Sequence, residues 1–409
     1  MGDEREFKNL PEGWKLSKVK DLFVDGRGRI ISEEEIKNKE GIYPVYSSQT
    51  SNNGELGKIN TYDFEGEFIT WTTDGANAGT VFYRNGKFNC TNVCGILKPR
   101  NENINVKFFS YLLSTIAKNY VSYIGNPKLM NSTFRDIKII HPNNYYEQRK
   151  IAEILETVDN AIEKTDKIIE KYKRIKQGLM QDLLTKGIDE KGNIRSEKMH
   201  KFKDSPLGRI PEEWEVVRLG EILKFLKGKT PRKLYDYEEE GMTIYLTPEY
   251  LRKNKCDVAF CKKEETLLAN EDIIILWDGS NAGEVFWAEK GAVASTMAKI
   301  DITSSDFPIY KKFLYYYLKS NEFVFKYQVK GSGIPHFEKD ILNTLNSVFP
   351  PLSEQKRIAE ILSQIDQAIE KEEKYKQKLE RLKKGLMEDL LTGKVRVNKL
   401  LEGENHGMA

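Results

Sequence analysis

"EQRKIAEIL", residues 147–155, returns as "EQKRIAEIL", residues 354–362, 207 positions further on. Aligned without gaps, residues 147–185 and 354–392 are identical at 23 of 39 positions, which marks a true internal repeat. Apolar residues within each copy fall in heptads. Ile151, Val158, Tyr172 and Leu179 share one position, with Ile154, Ala161, Ile168 and Ile175 three residues later. The second copy repeats this with Ile358, Ile365, Leu379 and Leu386, then Ile361, Ala368, Tyr375 and Leu382. Such spacing over about five heptads predicts a long helix whose narrow stripe meets a partner helix. Proline-bearing stops, "HPNNYYEQ" and "FPPLSEQ", precede the two copies, and about 40 residues make a rod of roughly 60 Å. The obvious partner of each rod helix is the other; pairing of each with an outside helix is the alternative.

The blocks before the rods are related more faintly. "LPEGWKLSKVKDLF" (10–23) resembles "IPEEWEVVRLGEIL" (210–223), and "DGANAGTVF" (74–82) resembles "DGSNAGEVF" (278–286). Short apolar runs such as "EFITWTT" and "NVCGILK", separated by Gly/Asn turns, predict strands, and an aromatic helical stretch closes each block. The expected fold class is α+β: two mixed α/β globules and two long helices. The expected boundaries are 1–144 for the first globule, 145–186 for the first rod helix and 187–206 for a linker. The second globule then covers 207–351, the second rod helix 352–394 and a tail 395–409. Closely similar rods and divergent globules imply one job done twice by the rods and different surfaces on the globules.

Composition narrows the function classes. The chain of 409 residues is 39% hydrophobic and 31% charged, with 20 Tyr and 19 Phe, enough to build cores. No run of 18 apolar residues occurs and the N-terminus lacks a signal-peptide core, so a cytoplasmic protein with no membrane role is expected. Four cysteines form no disulfide framework, and the spacings of Cys90/Cys94 and Cys256/Cys261, without nearby His, suit half-buried thiols better than zinc. No metal and no cofactor are expected. The net charge of +3, from 65 basic and 62 acidic residues, leaves nucleic-acid binding to local basic surfaces.

The proline turn, E-Q and I-A-E-I-L of each rod, the closings "GLMQDLLTKG" and "GLMEDLLTGK", the P-E-x-W globule openings and the half-chain repeat together resemble the specificity subunit of type I restriction-modification enzymes. The resemblance covers essentially the whole chain. It implies two target-recognition domains, each reading one half of a split site in double-stranded DNA, separated by two antiparallel helices. It also implies no catalytic activity, assembly with two modification (methyltransferase) subunits and, for cleavage, with restriction subunits. Antiparallel pairing supplies a pseudo-two-fold axis that matches the symmetry of the DNA backbone, and the rod acts as a ruler for the unread spacer.

Reading bases takes amides, guanidinium groups and small hydroxyls on exposed loops, whereas phosphates attract Lys and Arg whatever the sequence. In the first globule the candidates are Arg27, Arg29, Gln49, Asn52, Asn53, Thr72, Thr73, Asn77 and Lys128. In the second they are Lys229, Arg232, Lys233, Arg252, Ser280, Asn281 and His336. Set against these, "DGxNAG" occurs in both globules and reads as a structural turn, and Asn52-Asn53-Gly54 reads as a hairpin turn. Glu147, Gln148, Glu354 and Gln355, at the rod starts, are candidates for a partner contact, with helix capping as the competing account.

Two rival classes stand beside the reader. One is a DNA methyltransferase or nuclease with an unrecognised site; the other is a coiled-coil interaction scaffold. No Asn/Asp-Pro-Pro-aromatic tetrapeptide occurs, "DGRGRI" lacks a convincing strand before it, and "LKGKT" lacks a P-loop's first glycine, since position 223 is Leu223. Binding of S-adenosylmethionine by the isolated chain would favour the enzyme, and absence of site-selective DNA affinity the scaffold.

Overall fold

The computed structural model describes residues 10–252, 258–304, 307–327, 337, 345–398 and 400. Two compact units result: residues up to Asp166 together with those from Lys374 onward, and Lys167–Glu373.

In the first unit, β1 (Trp14–Lys18) pairs antiparallel with β8 (Lys138–Pro142). A six-stranded sheet contains β2 (Phe23–Arg27), β3 (Glu40–Tyr46), β4 (Glu55–Ile59), β5 (Phe64–Thr72), β6 (Val81–Cys90) and β7 (Cys94–Pro99), in the order β2-β7-β5-β6-β3-β4. Only β3 and β6 run parallel. Five consecutive residues of β5, Phe68–Thr72, are buried, as befits a central strand covered on both faces. Helix α1 (Val106–Ile116) starts where Asn105 Oδ1 accepts the Phe108 N–H at 2.9 Å, and its apolar face carries Phe108, Phe109 and Leu113 into the core. That core also takes Ile151, Ala152 and Leu155 from the start of the long helix α2 (Tyr145–Thr185) and Leu390 and Leu391 from the end of α4 (Leu352–Leu391). Full burial of each such leucine or isoleucine contributes about 1.5–3 kcal/mol, so the rod ends are integral to the globule.

The second unit repeats the plan. β11 (Glu215–Arg218) pairs with β18 (Asn346–Phe349). The sheet contains β12 (Leu223–Lys227), β13 (Met242–Leu246), β14 (Phe260–Lys262), β15 (Leu268–Leu276), β16 (Val285–Val293) and β17 (Met297–Ile302), in the order β12-β17-β15-β16-β13-β14. A hairpin of β9 (Phe202–Ser205) and β10 (Gly208–Pro211) is additional. Helix α3 (Lys311–Ser320) buries Phe313, Leu314, Tyr316 and Tyr317 against Ile358, Ala359 and Leu362 of α4 and Leu183 and Leu184 of α2. The compact units therefore do not follow the serial division into globule and rod. Each takes the first half of one long helix and the second half of the other.

Within each unit the two helix segments run antiparallel. In the first, Asp159 and Asp166 pair with Lys383 and Lys376 at 2.6 and 2.7 Å; in the second, Lys176 and Lys173 pair with Asp366 and Glu373 at 2.6 and 3.1 Å. In both, partner numbers fall as α2 advances.

The seam departs from the heptad reading in one respect. The series Ile151, Val158, Tyr172, Leu179 and its counterpart Ile358, Ile365, Leu379, Leu386 are buried or half-buried. The second series lies four residues on, not three: Leu155, Ile162 and Ile169 are inward on α2, and Leu362, Ile369 and Leu390 on α4. Ile168, Ile175, Tyr375 and Leu382 are instead 40, 39, 50 and 52% exposed. Ile154 and Ile361 are half-buried because they pack on the globule cores, as flanking positions rather than seam. The physical reason lies mid-rod, where Lys176, Lys376 and Lys383 occupy the inward register as ion-paired side chains. Their stems cover the neighbouring helix while their ammonium groups meet carboxylates.

Residues 187–206, read as a linker, are folded. Gly187 turns the chain at φ +65°, Ile188 bridges to Ile194, and β9–β10 follows. A Cβ at Gly187 would lie 2.1 Å from Glu354 Oε1 and 2.6 Å from the Trp214 ring, so only glycine fits.

Candidate nucleic-acid interface

In both globules the "DGxNAG" stretch is the same turn. Ala78 N–H donates to Gly75 O and Gly79 N–H to Thr72 O, both at 2.9 Å; Ala282 N–H to Gly279 O and Gly283 N–H to Leu276 O, at 3.0 and 2.8 Å, are the counterparts. Arg27 Nη2 stands 3.9 Å from Asp74 in one globule and Lys227 3.1 Å from Asp278 in the other, tying each turn to the end of an edge strand. The turn is architecture, and it leaves Asn77, Ser280 and Asn281 exposed at its crest.

Thr72 and Thr73 are fully buried and brace this turn, which removes them as base readers. The Thr72 hydroxyl donates to Asn77 O and accepts from Thr80 N–H at 3.2 Å, while Thr73 Oγ1 donates to Asp74 Oδ2 at 2.6 Å. Arg29 is likewise engaged, donating to Glu35 and, at 3.0 Å, to Asp63. Hydrogen bonds from Arg29 and then Lys39 hold the Glu35 carboxyl down at about 2. Arg252 is bound through Nε and Nη2 to Glu284, bracing the second turn rather than facing solvent unpaired. Gln49 is half-buried, its amide donating to Glu55 O. An ion pair or hydrogen bond already made must be broken before DNA can use the group.

The remaining candidates are presented outward. Asn52 and Asn53 are exposed at φ 48° and 52°, a left-handed pair that asparagine tolerates. Beneath them lies Arg84, missed by sequence reasoning because nothing in the pattern marks it. This buried guanidinium sits 3.5 Å from the Tyr46 ring centroid and donates to Thr70 Oγ1 at 3.1 Å; burial lowers its pKa. Lys128 is exposed, 3.5 Å from Asp74. Lys229, Arg232 and Lys233 are exposed on one loop of the second globule, with the Lys233 ammonium 4.9 Å from the Tyr235 ring centroid. His336 lies outside the described residues.

The glycines of "DGRGRI" and "LKGKT" have a common cause. A Cβ on Gly28 would stand 2.2 Å from Cys90 O and one on Gly228 2.2 Å from Ala294 O, so each permits a close backbone crossing rather than a phosphate cradle. Cys90, Cys94 and Cys261 are buried free thiols.

The rod-start residues face inward, correcting the expectation of a partner contact there. Glu147 is 2% exposed; it accepts from Arg396 of the tail, at 2.7 and 3.0 Å, and from Trp14 Nε1 at 3.4 Å. Glu354 accepts from both terminal nitrogens of Arg195, from Trp214 Nε1 at 3.4 Å and from Ile188 N–H at 2.8 Å. Gln148 accepts from Asn105 N–H at 2.9 Å and donates to Pro142 O at 3.0 Å. Gln355 does the same with Tyr310 N–H, at 2.8 Å, and Pro350 O, at 2.9 Å. The repeated E-Q therefore joins rod to globule twice by the same chemistry, with P-E-x-W supplying the indole donor. Capping geometry and partner docking both leave these side chains nearer solvent than they are.

The sequence profile of the type I restriction modification DNA specificity domain matches the chain twice, over residues 11–173 and 211–381. A putative type I specificity subunit of Mycoplasma pneumoniae is 32% identical over 352 residues, 84% of this chain and 87% of that protein. The type I restriction enzyme MjaVIII specificity subunit of Methanocaldococcus jannaschii is 42% identical over 196 residues, 48% of this chain and 46% of that protein. The chain thus spans under half the length of that relative. The crystal structure of a type I restriction-modification system S subunit from M. genitalium shares the fold, with a TM-score of 0.68 at 18% identity over 94% of this chain and 96% of that one.

Proposed function

From the premise that this chain belongs to the type I restriction-modification DNA specificity family, we propose that it reads an asymmetric, bipartite site in double-stranded DNA, one half per globule. It is the non-catalytic specificity subunit; the chemistry belongs to partner subunits. The observation that carries this reading is duplication with divergence: one family domain occurs twice in a single chain, with rod sequences identical at 23 of 39 aligned positions and globule loops different. Asn52, Asn53 and Asn77 in the first globule, and Ser280 and Asn281 in the second, are exposed groups suited to base edges. Lys128, Lys229, Arg232 and Lys233 suit phosphates.

The long helices fix the spacer between half-sites and dock two modification subunits, one per rod repeat; restriction subunits join for cleavage. The reading places the chain in the cytoplasm with the genome. None of the described helices is long and apolar enough to cross a membrane. With Glu147, Gln148, Glu354 and Gln355 buried, this reading puts the docking surface on the exposed faces of the rod. Copurification with the modification subunit, followed by native mass spectrometry, is expected to give one chain to two partners, and DNA affinity that falls with salt while site preference persists. A single partner per chain would refute the stoichiometry. Binding of S-adenosylmethionine by the isolated chain would refute the non-catalytic role.

A further inference from the structure

Resting on the DNA-reading function above, we propose that the loop tip at Tyr123 and Ile124 is an apolar wedge that inserts against the bases and partly unstacks one step in the half-site of the first globule. Ile124 is 95% exposed and Tyr123 70% exposed, adjacent in sequence and on one tip. A surface loop of this kind ordinarily ends in polar residues, and these two side chains contribute nothing to the core.

The tip is anchored rather than loose. Ser122 and Lys128 exchange both backbone hydrogen bonds, at 2.8 and 2.9 Å, closing the loop at its base. Val121 and Leu129 on either side are buried, and Trp71 Nε1 donates to Leu129 O at 3.0 Å. Two further backbone bonds, Gly75 N–H to Pro127 O at 3.0 Å and Leu129 N–H to Thr73 O at 2.8 Å, fasten the loop to the turn that presents Asn77. Gly125, at φ +75°, lets the chain reverse at the tip. The apolar pair is therefore pre-positioned, and little ordering entropy is lost on insertion.

Charge identifies the occupant. Exposed Lys128 closes the base of this loop, and it shares the single carboxylate of Asp74 with exposed Arg27, at 3.5 and 3.9 Å. One carboxylate between two cations leaves net positive charge at the base of the loop that carries the apolar pair. Duplex DNA has the complementary arrangement, with phosphates outside and apolar base faces within, and isoleucine is among the side chains that minor-groove proteins wedge between base steps.

The test uses the full chain assembled with its modification subunits, on duplexes carrying the recognised site with 2-aminopurine at successive positions of the first half-site. The wild-type complex is expected to raise fluorescence several-fold at one position. Ile124→Ser and Tyr123→Ser, both at exposed sites that leave the fold intact, are expected to abolish that rise and weaken binding roughly tenfold, the gain of apolar burial less the cost of unstacking. Unchanged affinity and fluorescence in both variants would overturn the proposal. So would an affinity loss with no fluorescence change at any position in the wild type, which would indicate a groove contact without insertion. Failure of the variants to copurify with the modification subunits would overturn it in favour of a protein contact. Absence of any site preference in the wild type would instead strike the reading function itself.

Discussion

Removing the Glu354 carboxylate tests how rod and globule are joined. Glu354→Ala leaves the Arg195 guanidinium, whose side chain is 9% exposed, with only Glu213 Oε2, at 3.3 Å, among the described residues, and strips Trp214 Nε1 and Ile188 N–H of their acceptor. Breaking a buried pair from one side costs about 3–5 kcal/mol, chiefly because a charge stays buried without its partner. The matching Glu147→Ala is expected to cost less, about 1–3 kcal/mol, since Arg396 is 24% exposed and can turn to water. Removing both charges with Glu354→Leu/Arg195→Met is expected to recover most of the loss, since hydrophobic replacement of a buried pair is often neutral. Urea denaturation gives the totals. Hydrogen exchange read by mass spectrometry assigns each loss to its unit, with the amides of Ile188–Arg195 the most affected by Glu354→Ala. A cost under about 1 kcal/mol for Glu354→Ala, or a double variant less stable than either single, would refute the reasoning.

Four further outcomes are expected. Gly187→Ala is expected to destabilise the second unit by several kcal/mol, from positive φ and the collision with Glu354 and Trp214, as seen in urea midpoints. Truncation before Val395 is expected to loosen the first unit selectively, because it removes Arg396 from buried Glu147 and Val397 from the core; exchange protection near Trp14 reports it. Burial pushes the His141 imidazole down to about 4, below the usual histidine range. The unfolded chain therefore binds the extra proton between about pH 6.5 and 4, and stability, complete above pH 6.5, falls by up to about 3 kcal/mol across that window. His141→Phe, the residue that the register of the second unit supplies as Phe349, is expected to flatten that dependence in acid denaturation. Finally, Lys229→Ala with Arg232→Ala is expected to weaken binding to all sequences and reduce the salt slope by about two, whereas Asn281→Ala relaxes one position of the site.

The long helices and the duplicated α+β plan were legible because both rest on local pattern: heptads after proline stops, and strands between Gly/Asn turns. The seam was misread by one residue because Ile154/Leu155 and Ile168/Ile169 offer two adjacent apolar positions, and the correct register passes through lysines that look solvated until Asp159, Asp166 and Asp366 are placed opposite. Site residues were less legible. Residue type marks what a side chain can bind, but Thr72, Arg29 and Arg252 are already committed to Asn77, Glu35 and Glu284 by contacts that sequence spacing does not reveal. Glu147 and Glu354 were singled out correctly as repeated and wrongly as outward, since their partners Arg396 and Arg195 lie 249 and 159 residues away.

The central claim, that each globule reads its own half of a split site, is tested most directly by mapping methylated bases genome-wide. The host would be methylation-free and carry this chain with its modification subunit, once as it stands and once with the second globule exchanged for that of a relative. A single bipartite, asymmetric motif is expected, with one half altered and the other half and the spacer retained after the exchange. Methylation unchanged by removing this chain, or a motif altered in both halves by the exchange, would contradict the account.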